Sequence, residues 1–149
     1  MALAAGRAVL EALRSSPGGF DARVLERVEI KAADAGRILC AIRVPANLAN
    51  GYGTLHGGAI ATLIDCVSTM AVLTVGGTNT GVSIDLSITY VSAARIDDEL
   101  EIESKVLKKG KNVVMLSAEV RRAGKNGEIV ASGHHTKYFS RPSLFTSKL

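Results

Sequence analysis

The segment from Gly57 to about Val75 constrains the fold most, because it is the only long internal stretch with a helical period. Most of its sides are apolar, and a narrower polar stripe of Thr62, Asp65 and Thr69 lies on another side. The apolar stripe consists of Ile60, Leu63, Ile64, Val67 and Ala71. A helix this apolar must be covered on most sides, so the remaining elements have to pack around it.

The remainder of the chain shows the alternation of apolar and polar residues that is typical of strands. Residues 24–44 predict two strands, and residues 81–91 predict a third. The third strand places Val82, Ile84, Leu86, Ile88 and Tyr90 on one face and Ser83, Asp85, Ser87 and Thr89 on the other. Residues 99–139 predict three more strands, separated at Gly110 and at the turn Lys125-Asn126-Gly127. Together these elements indicate an α+β fold, a six-stranded antiparallel sheet wrapped around one long central helix.

The whole chain, residues 1–149, fits a single domain. Residues 1–20 are rich in alanine, have a helical period and predict an additional N-terminal helix. Residues 141–149 form a C-terminal tail that ends in Ser147-Lys148-Leu149, the tripeptide read by the peroxisomal import receptor. In a eukaryotic source this tail predicts a peroxisomal protein, and otherwise we expect a cytoplasmic one.

Composition argues against several classes of function. Aromatic residues make up 4% of the chain and Trp is missing, so we expect no nucleic-acid binding despite a net charge of +4. No apolar run of about 18 residues predicts a membrane span. Cys40 and Cys66 lack the spacing of a metal site and His134-His135 lack further ligands, so we expect buried free thiols and no metal.

Asp65 needs a chemical explanation, because a carboxylate inside an apolar helix is costly unless it is paired or used. Upstream, Gly57 and Gly58 open the helix, where backbone N–H groups lack intrahelical partners and can stabilise an oxyanion. These glycines equally suit a loop that merely turns into the helix. Asp65 lies about 12 Å along the axis from Gly57, too far to serve a carbonyl bound at its own helix start. Two chains arranged antiparallel would bring Asp65 of one chain to Gly57 of the other. The structural alternative is that Asp65 only forms a hydrogen bond with a nearby Ser or Thr.

Further polar residues are candidates around these two. His56 either transfers a proton or orients the loop, and Asn50 either donates its amide to a ligand carbonyl or caps its own turn. Ser83, on the polar face of a strand, is a candidate to hold a water beside Asp65. Basic residues at predicted strand ends and hairpins suit a solvated rim or phosphate groups, and they are Arg95, Lys108, Lys109, Lys111 and Lys137.

Three stretches of the chain resemble the hotdog-fold acyl-CoA thioesterases of the PaaI-like group: GTLHGGAIATLIDCVSTMA, GVSIDLSITYVSAAR and VLKKGKNVVMLSAEV. The resemblance runs from about Val24 to Tyr138, and its most specific part is the spacing between the HGG triplet and Asp65. It implies a hotdog fold, homodimers that pair into tetramers, and hydrolysis of acyl-CoA to a free acid and coenzyme A. Coenzyme A is then part of the substrate, and no separate cofactor is expected.

For the reaction, the resemblance implies that the Gly57 N–H donates to the oxyanion while Asn50 and His56 position the thioester. Asp65 of the facing subunit becomes the general base or the nucleophile, and Ser83 orients the attacking water. A hotdog hydratase or dehydratase would share the fold, but no second acidic or histidine partner is convincingly placed for that reaction. A non-catalytic acyl-CoA sensor is the alternative from another class, and it would bind the ester without turnover.

For coenzyme A, the resemblance implies contacts from the segments that match residues 90–95 and 108–113 and from one position near the end of the last strand. The residues expected to bind there are Tyr90, Ser92, Arg95, Lys108, Gly110, Lys111 and Tyr138. Tyr138 departs from the pattern, because a close relative has a histidine at that position.

Overall fold

The structure of the protein, a computed structural model, describes residues 1–76, 79–124 and 127–140. Within them the chain forms three α-helices, six strands and a short 3-10 turn at Ala46–Leu48. The helices are α1 (Ala2–Arg14), α2 (Phe20–Leu25) and α3 (Gly57–Leu73). The strands are β1 (Glu29–Asp34), β2 (Arg37–Arg43), β3 (Val82–Tyr90), β4 (Glu99–Lys109), β5 (Val113–Arg122) and β6 (Ile129–Tyr138).

The six strands form one antiparallel sheet in the order β1-β2-β4-β5-β6-β3, so β1 and β3 are its edges. Helix α3 packs against β2, β3, β4, β5 and β6, which wrap around it. Its apolar stripe supplies the centre of the core, where Leu63, Ile64 and Val67 are fully buried. The predicted α+β architecture, a sheet wrapped around one central helix with a helix added at the N-terminus, is confirmed.

The N-terminal region differs from the prediction in two respects. The helix predicted over residues 1–20 ends at Arg14, and the second helix, α2, begins at Phe20 and includes residues 24 and 25, where the alternation predicts a strand. Gly18 has a φ of +70°, a left-handed conformation that ends the helical path and redirects the chain. Helix α2 buries its last two residues in the core, so tertiary packing overrides the strand pattern there.

Strand β3 departs from strict alternation near its start. Its register with β6 shifts between Ser83 and Asp85, which makes Ile84 the extra residue of a β-bulge. The bulge turns Ser83 toward α3, the side on which Leu86 and Ile88 pack against the core. Ile84 is 59% exposed, contrary to the predicted shared face. One inserted residue inverts the facing of the residues before it, and periodicity alone does not show where that happens.

Both cysteines are free and buried, as predicted. Burial raises the pKa of the Cys40 thiol to about 12, and burial is also the main reason why the pKa of the Cys66 thiol is raised. Both side chains are therefore neutral thiols at physiological pH and pack as small apolar groups.

Two predicted features lie outside the described residues. One is the turn at Lys125-Asn126, and the other is the tail over residues 141–149 with its Ser147-Lys148-Leu149 tripeptide. In the part of the chain that the structure does describe, no helix has the length and apolar character needed to cross a membrane. The same part contains no cluster of three side chains suited to hold a metal ion.

Candidate active site

The first turn of α3 leaves one backbone donor open. His56 caps the helix, because its Nδ1 accepts the N–H of Gly58 at 2.8 Å. The His56 carbonyl accepts the N–H groups of the next two residues, Ala59 and Ile60. Among the described residues, no acceptor is bonded to the N–H of Gly57. That N–H lies at the positive end of the helix macrodipole, as an oxyanion donor requires.

The side chains of His56 and Asn50 are engaged by the local backbone. The Asn50 Oδ1 accepts the N–H groups of Tyr52 at 3.0 Å and Thr54 at 3.2 Å, and its Nδ2 donates to the Thr54 hydroxyl at 2.9 Å. Asn50 therefore caps its own turn, and His56 orients the start of α3 through Gly58. These contacts match the orienting alternatives for both residues, and direct roles toward a substrate stay predictions.

Tyr90, at the end of β3, covers Gly57. Its hydroxyl donates to the Gly57 carbonyl at 2.9 Å, and a Cβ at Gly57 would lie 3.4 Å from the tyrosine ring. The two residues line an apolar cleft of about 270 Å³ together with Leu55, Ile60 and Ser92. Gly57 thus lines a shallow cleft that an uncharged ligand group can enter.

The Asp65 carboxylate lies elsewhere, in the middle of α3 and beside β3. Its Oδ1 is 3.3 Å from Ser83 Oγ and 3.5 Å from His135 Nε2, and the Asp65 side chain is 43% exposed. His135 is buried, and its ring nitrogens lie 2.8 Å from Ser83 Oγ and 2.6 Å from Ser68 Oγ. Asp65 and Ser83, which the sequence predicts to act together, are therefore neighbours above a buried histidine.

Hydrogen bonds connect the members of this cluster. Burial lowers the pKa of His135, and the charge of Lys137 acts in the same direction, so the ring is neutral near pH 7. In a neutral ring one nitrogen donates and the other accepts, so His135 connects the hydroxyl of Ser68 with that of Ser83. The Ser83 hydroxyl donates to Asp65 Oδ1 at 3.3 Å, and the carboxylate keeps further lone pairs for the protons of a water.

Two residues of this region do not follow from the sequence interpretation, which considers His135 only as a metal ligand and assigns Lys137 to a solvated rim or to phosphate groups. Lys137 is 4% exposed, and its Nζ donates to Thr69 Oγ1 at 2.8 Å, so the rim interpretation is wrong for this lysine. Strand β6 turns both residues toward α3. One signal in the sequence could have shown this placement. Both residues share a face of the strand with the small residues Ala131 and Gly133, which leave room for a helix.

The residues predicted to bind coenzyme A fall into two groups. Tyr90, Ser92 and Arg95 lie where β3 pairs with Ala131 at the start of β6. The other group surrounds the β4–β5 hairpin and the end of β6, and it consists of Lys108, Gly110, Lys111 and Tyr138. Arg95 and the hairpin residues are exposed, whereas the Ser92 hydroxyl donates to a backbone carbonyl at 2.7 Å. The two groups lie at opposite ends of β6, so one chain does not bring them together.

The Gly57 N–H and the Asp65 carboxylate are separated in the same way. Ser83, beside Asp65, and Tyr90, beside Gly57, stand at opposite ends of the edge strand β3. Along α3 the two positions are about 12 Å apart at 1.5 Å per residue. The structure thus divides the predicted site into a donor half at Gly57 and an acceptor half at Asp65.

Similarity to known proteins identifies the family. A family model described as "Thioesterase superfamily" matches residues 52–129, which contain α3, β3, β4 and β5. The chain belongs to the thioesterase superfamily. It is 39% identical to mouse acyl-coenzyme A thioesterase 13 over 132 residues, which cover 89% of this chain and 92% of the mouse protein.

Two solved structures show the same fold. Zebrafish thioesterase superfamily member 2 superposes with a TM-score of 0.83 at 39% identity, and the match covers 89% of this chain and 94% of that one. A hypothetical thioesterase from Streptococcus pneumoniae, solved with coenzyme A, has a TM-score of 0.74 at 27% identity, with 81% of this chain and 92% of that one covered. The predicted hotdog fold and the predicted thioesterase family are confirmed.

Proposed function

We propose that this thioesterase hydrolyses acyl-CoA thioesters to a free acid and coenzyme A. The observation that carries the proposal is the half-exposed Asp65 carboxylate, which shares Ser83 with a buried histidine. The open N–H of Gly57 supplies the complementary donor. The relatives support the substrate class, because the mouse protein is named an acyl-coenzyme A thioesterase and the Streptococcus pneumoniae structure contains coenzyme A.

A second copy of the chain completes the site, because neither copy alone joins the two halves. Strand β3 is an edge of the sheet with exposed apolar side chains, which are Val82, Ile84, Tyr90 and, directly after the strand, Val91. An exposed apolar edge favours pairing with another strand. Two β3 strands paired antiparallel about a two-fold axis bring the Asp65 end of one chain beside the Gly57 end of the other.

The same two-fold arrangement joins the two groups predicted to bind coenzyme A. The hairpin with Lys108 and Lys111 belongs to the Asp65 end of β3, and Arg95 belongs to the Gly57 end. Antiparallel pairing therefore places both sets of basic side chains near one composite site, where they suit the phosphate groups of coenzyme A. The apolar cleft beside Gly57 suits the uncharged part of the thioester.

In the proposed reaction, the thioester carbonyl oxygen accepts the N–H of Gly57. Asp65 and Ser83 of the other chain hold a water molecule, and Asp65 accepts one of its protons, which aims the water oxygen at the carbonyl carbon. Asp65 takes a proton as the C–O bond forms, and the carbonyl oxygen becomes an oxyanion held by Gly57. The C–S bond then breaks, the carbonyl re-forms as the acid, and the proton on Asp65 passes to the leaving thiolate.

Direct attack by Asp65 on the carbonyl carbon is the alternative route, with an anhydride that water then opens. The Ser83 hydroxyl beside Asp65, which can help to hold a water there, favours the general-base route. Single turnover in oxygen-18 water separates the two. We expect the label in the released acid only, whereas label in the Asp65 carboxylate indicates attack by the carboxylate itself.

Substitution of Asp65 tests the hydrolytic function. The Asp65→Asn variant keeps the side-chain shape but cannot accept the proton, so we expect kcat to fall by about 1,000-fold while affinity for coenzyme A is retained. The matched control is Asp34→Asn, which changes an exposed aspartate at the end of β1 and should leave kcat unchanged. Wild-type turnover by Asp65→Asn would refute the mechanism, and tight binding without turnover by the wild type would indicate a sensor.

A further inference from the structure

The peptide unit between Gly57 and Gly58 is held from both ends by side chains. Its N–H donates to Nδ1 of His56 at 2.8 Å, and its carbonyl accepts the hydroxyl proton of Tyr90 at 2.9 Å. His56 belongs to the loop before α3, whereas Tyr90 is the last residue of the edge strand β3. A side chain from a different element is therefore fixed to the first turn of the helix.

The first turn of α3 has little other support, since Gly57 and Gly58 have no side chains to pack against neighbouring elements. Glycine has the widest backbone freedom of all residues, and the first N–H groups of a helix lack partners within it. The Tyr90 ring lies directly beside Gly57, where an added Cβ would be 3.4 to 3.6 Å from its atoms. Only the α-carbon of Gly57 separates the peptide held by Tyr90 from the N–H that we propose as the oxyanion donor.

We propose that Tyr90 is a positioning residue for the oxyanion donor, because its hydroxyl fixes the peptide after Gly57 and thereby the direction of the Gly57 N–H. This role rests on the hydrolytic function proposed above. It differs from the contact with coenzyme A that the resemblance implies, since the hydroxyl gives its one proton to the Gly57 carbonyl. A fixed donor stabilises charge that develops only in the transition state, so the hydroxyl should affect kcat rather than KM.

The test is the kinetics of Tyr90→Phe, which removes the hydroxyl and keeps the ring. We expect kcat to fall by about 10-fold with KM unchanged, because a displaced donor serves the oxyanion less well. The matched control is Tyr52→Phe, which removes the same group from a side chain that is 94% exposed in the loop before α3. This control should keep the wild-type kcat and KM. An unchanged kcat in Tyr90→Phe, or a rise in KM alone as from a lost coenzyme A contact, would overturn the proposal.

A double variant separates positioning of the donor from any other effect of the hydroxyl. Gly57→Pro deletes the N–H, so Tyr90 then has no donor to position. Adding Tyr90→Phe to Gly57→Pro should therefore lower kcat no further. A second loss of about 10-fold in the double variant would show that the hydroxyl acts elsewhere, and it would overturn the proposal.

Amide hydrogen exchange tests the same role without turnover. The Gly58 N–H belongs to the peptide that Tyr90 holds, so its exchange, followed by NMR, should be about 10-fold faster in Tyr90→Phe than in the wild type. Unchanged exchange would contradict the role of Tyr90 and leave the proposed function intact. Faster exchange in the variant together with no acyl-CoA turnover by the wild type would contradict the proposed function instead.

Discussion

The start and the middle of α3 present polar groups in opposite ways. At the start, the donor is the backbone N–H of Gly57. This N–H is open because the side chain of His56 accepts the N–H of Gly58 instead. In the middle, the acceptor is the side chain of Asp65, whose surroundings are set by buried residues of β6. The donor half depends on a backbone group, and the acceptor half depends on several buried side chains.

This difference determines how each half responds to substitution. A backbone N–H survives every ordinary side-chain change, so the donor half is removed only by proline. The acceptor half depends on the directions of hydrogen bonds among Ser68, His135 and Ser83, so changes one layer away from Asp65 should affect it. In the proposed mechanism, neither half is a complete site within its own chain.

The largest effect is expected from Gly57→Pro, which deletes the donor. Position 57 is the first residue of α3, where proline is well tolerated, and His56 has φ −61° and ψ 135°, which suit a residue before proline. The helix should therefore be retained, as circular dichroism can verify, while kcat falls by about 100- to 1,000-fold.

The matched control for this substitution is Gly57→Ala, which keeps the N–H. Its Cβ would contact the Tyr90 ring at 3.4 Å, an ordinary van der Waals distance, so most of the activity should remain. Equal losses of kcat in the alanine and proline variants would show that the N–H of Gly57 is not the oxyanion donor.

A smaller effect is expected from His135→Gln in the acceptor half. The variant loses the ring nitrogen Nε2, which lies 2.8 Å from Ser83 Oγ and orients that hydroxyl, so kcat should fall by about 10- to 100-fold with little change in KM. His134→Gln provides the control, because His134 is the adjacent residue on the exposed side of β6. Similar kinetics for the two variants would show that the buried ring does not position Ser83.

The smallest effect concerns stability. The pKa of His135 is lowered in the folded state, so below about pH 6.5 the unfolded chain binds more protons at this residue than the folded one. The neutral ring therefore contributes to the free energy of unfolding above that pH. The contribution, about 1 kcal/mol, is lost as the pH falls. Urea denaturation between pH 7 and pH 5 measures this loss, and His135→Gln should reduce it. An identical pH dependence in wild type and variant would speak against a neutral buried ring.

Much of this fold could be predicted from periodicity. One apolar helix among strands of alternating polarity is compatible with few architectures. The polar stripe of that helix indicated Asp65, because burying an unpaired carboxylate in an apolar helix is costly. The β3 bulge could not be predicted, since one inserted residue leaves no mark in the composition of the strand. Helix α2 was missed because its buried residues 24 and 25 fit a strand as well as a helix.

Chemistry and spacing indicate Gly57 and Asp65 in the sequence, and their roles toward a substrate stay predictions. The placement of His135 and Lys137 against α3 could not be predicted, because strand order is a long-range property. The contact between Tyr90 and Gly57 escaped prediction for the same reason, since it joins residues 33 positions apart. Sequence patterns show which residues face inward, whereas the partner across the core comes from the topology.

The central claim is that each active site takes its donor from one chain and its carboxylate from another. Co-expression of Gly57→Pro and Asp65→Asn chains with two different affinity tags tests it most directly. Random pairing gives half of the dimers as mixed dimers, each with one intact composite site, so the mixture should regain about one quarter of wild-type activity. Activity no higher than that of the separate variants, in mixed dimers isolated through both tags, would contradict the account.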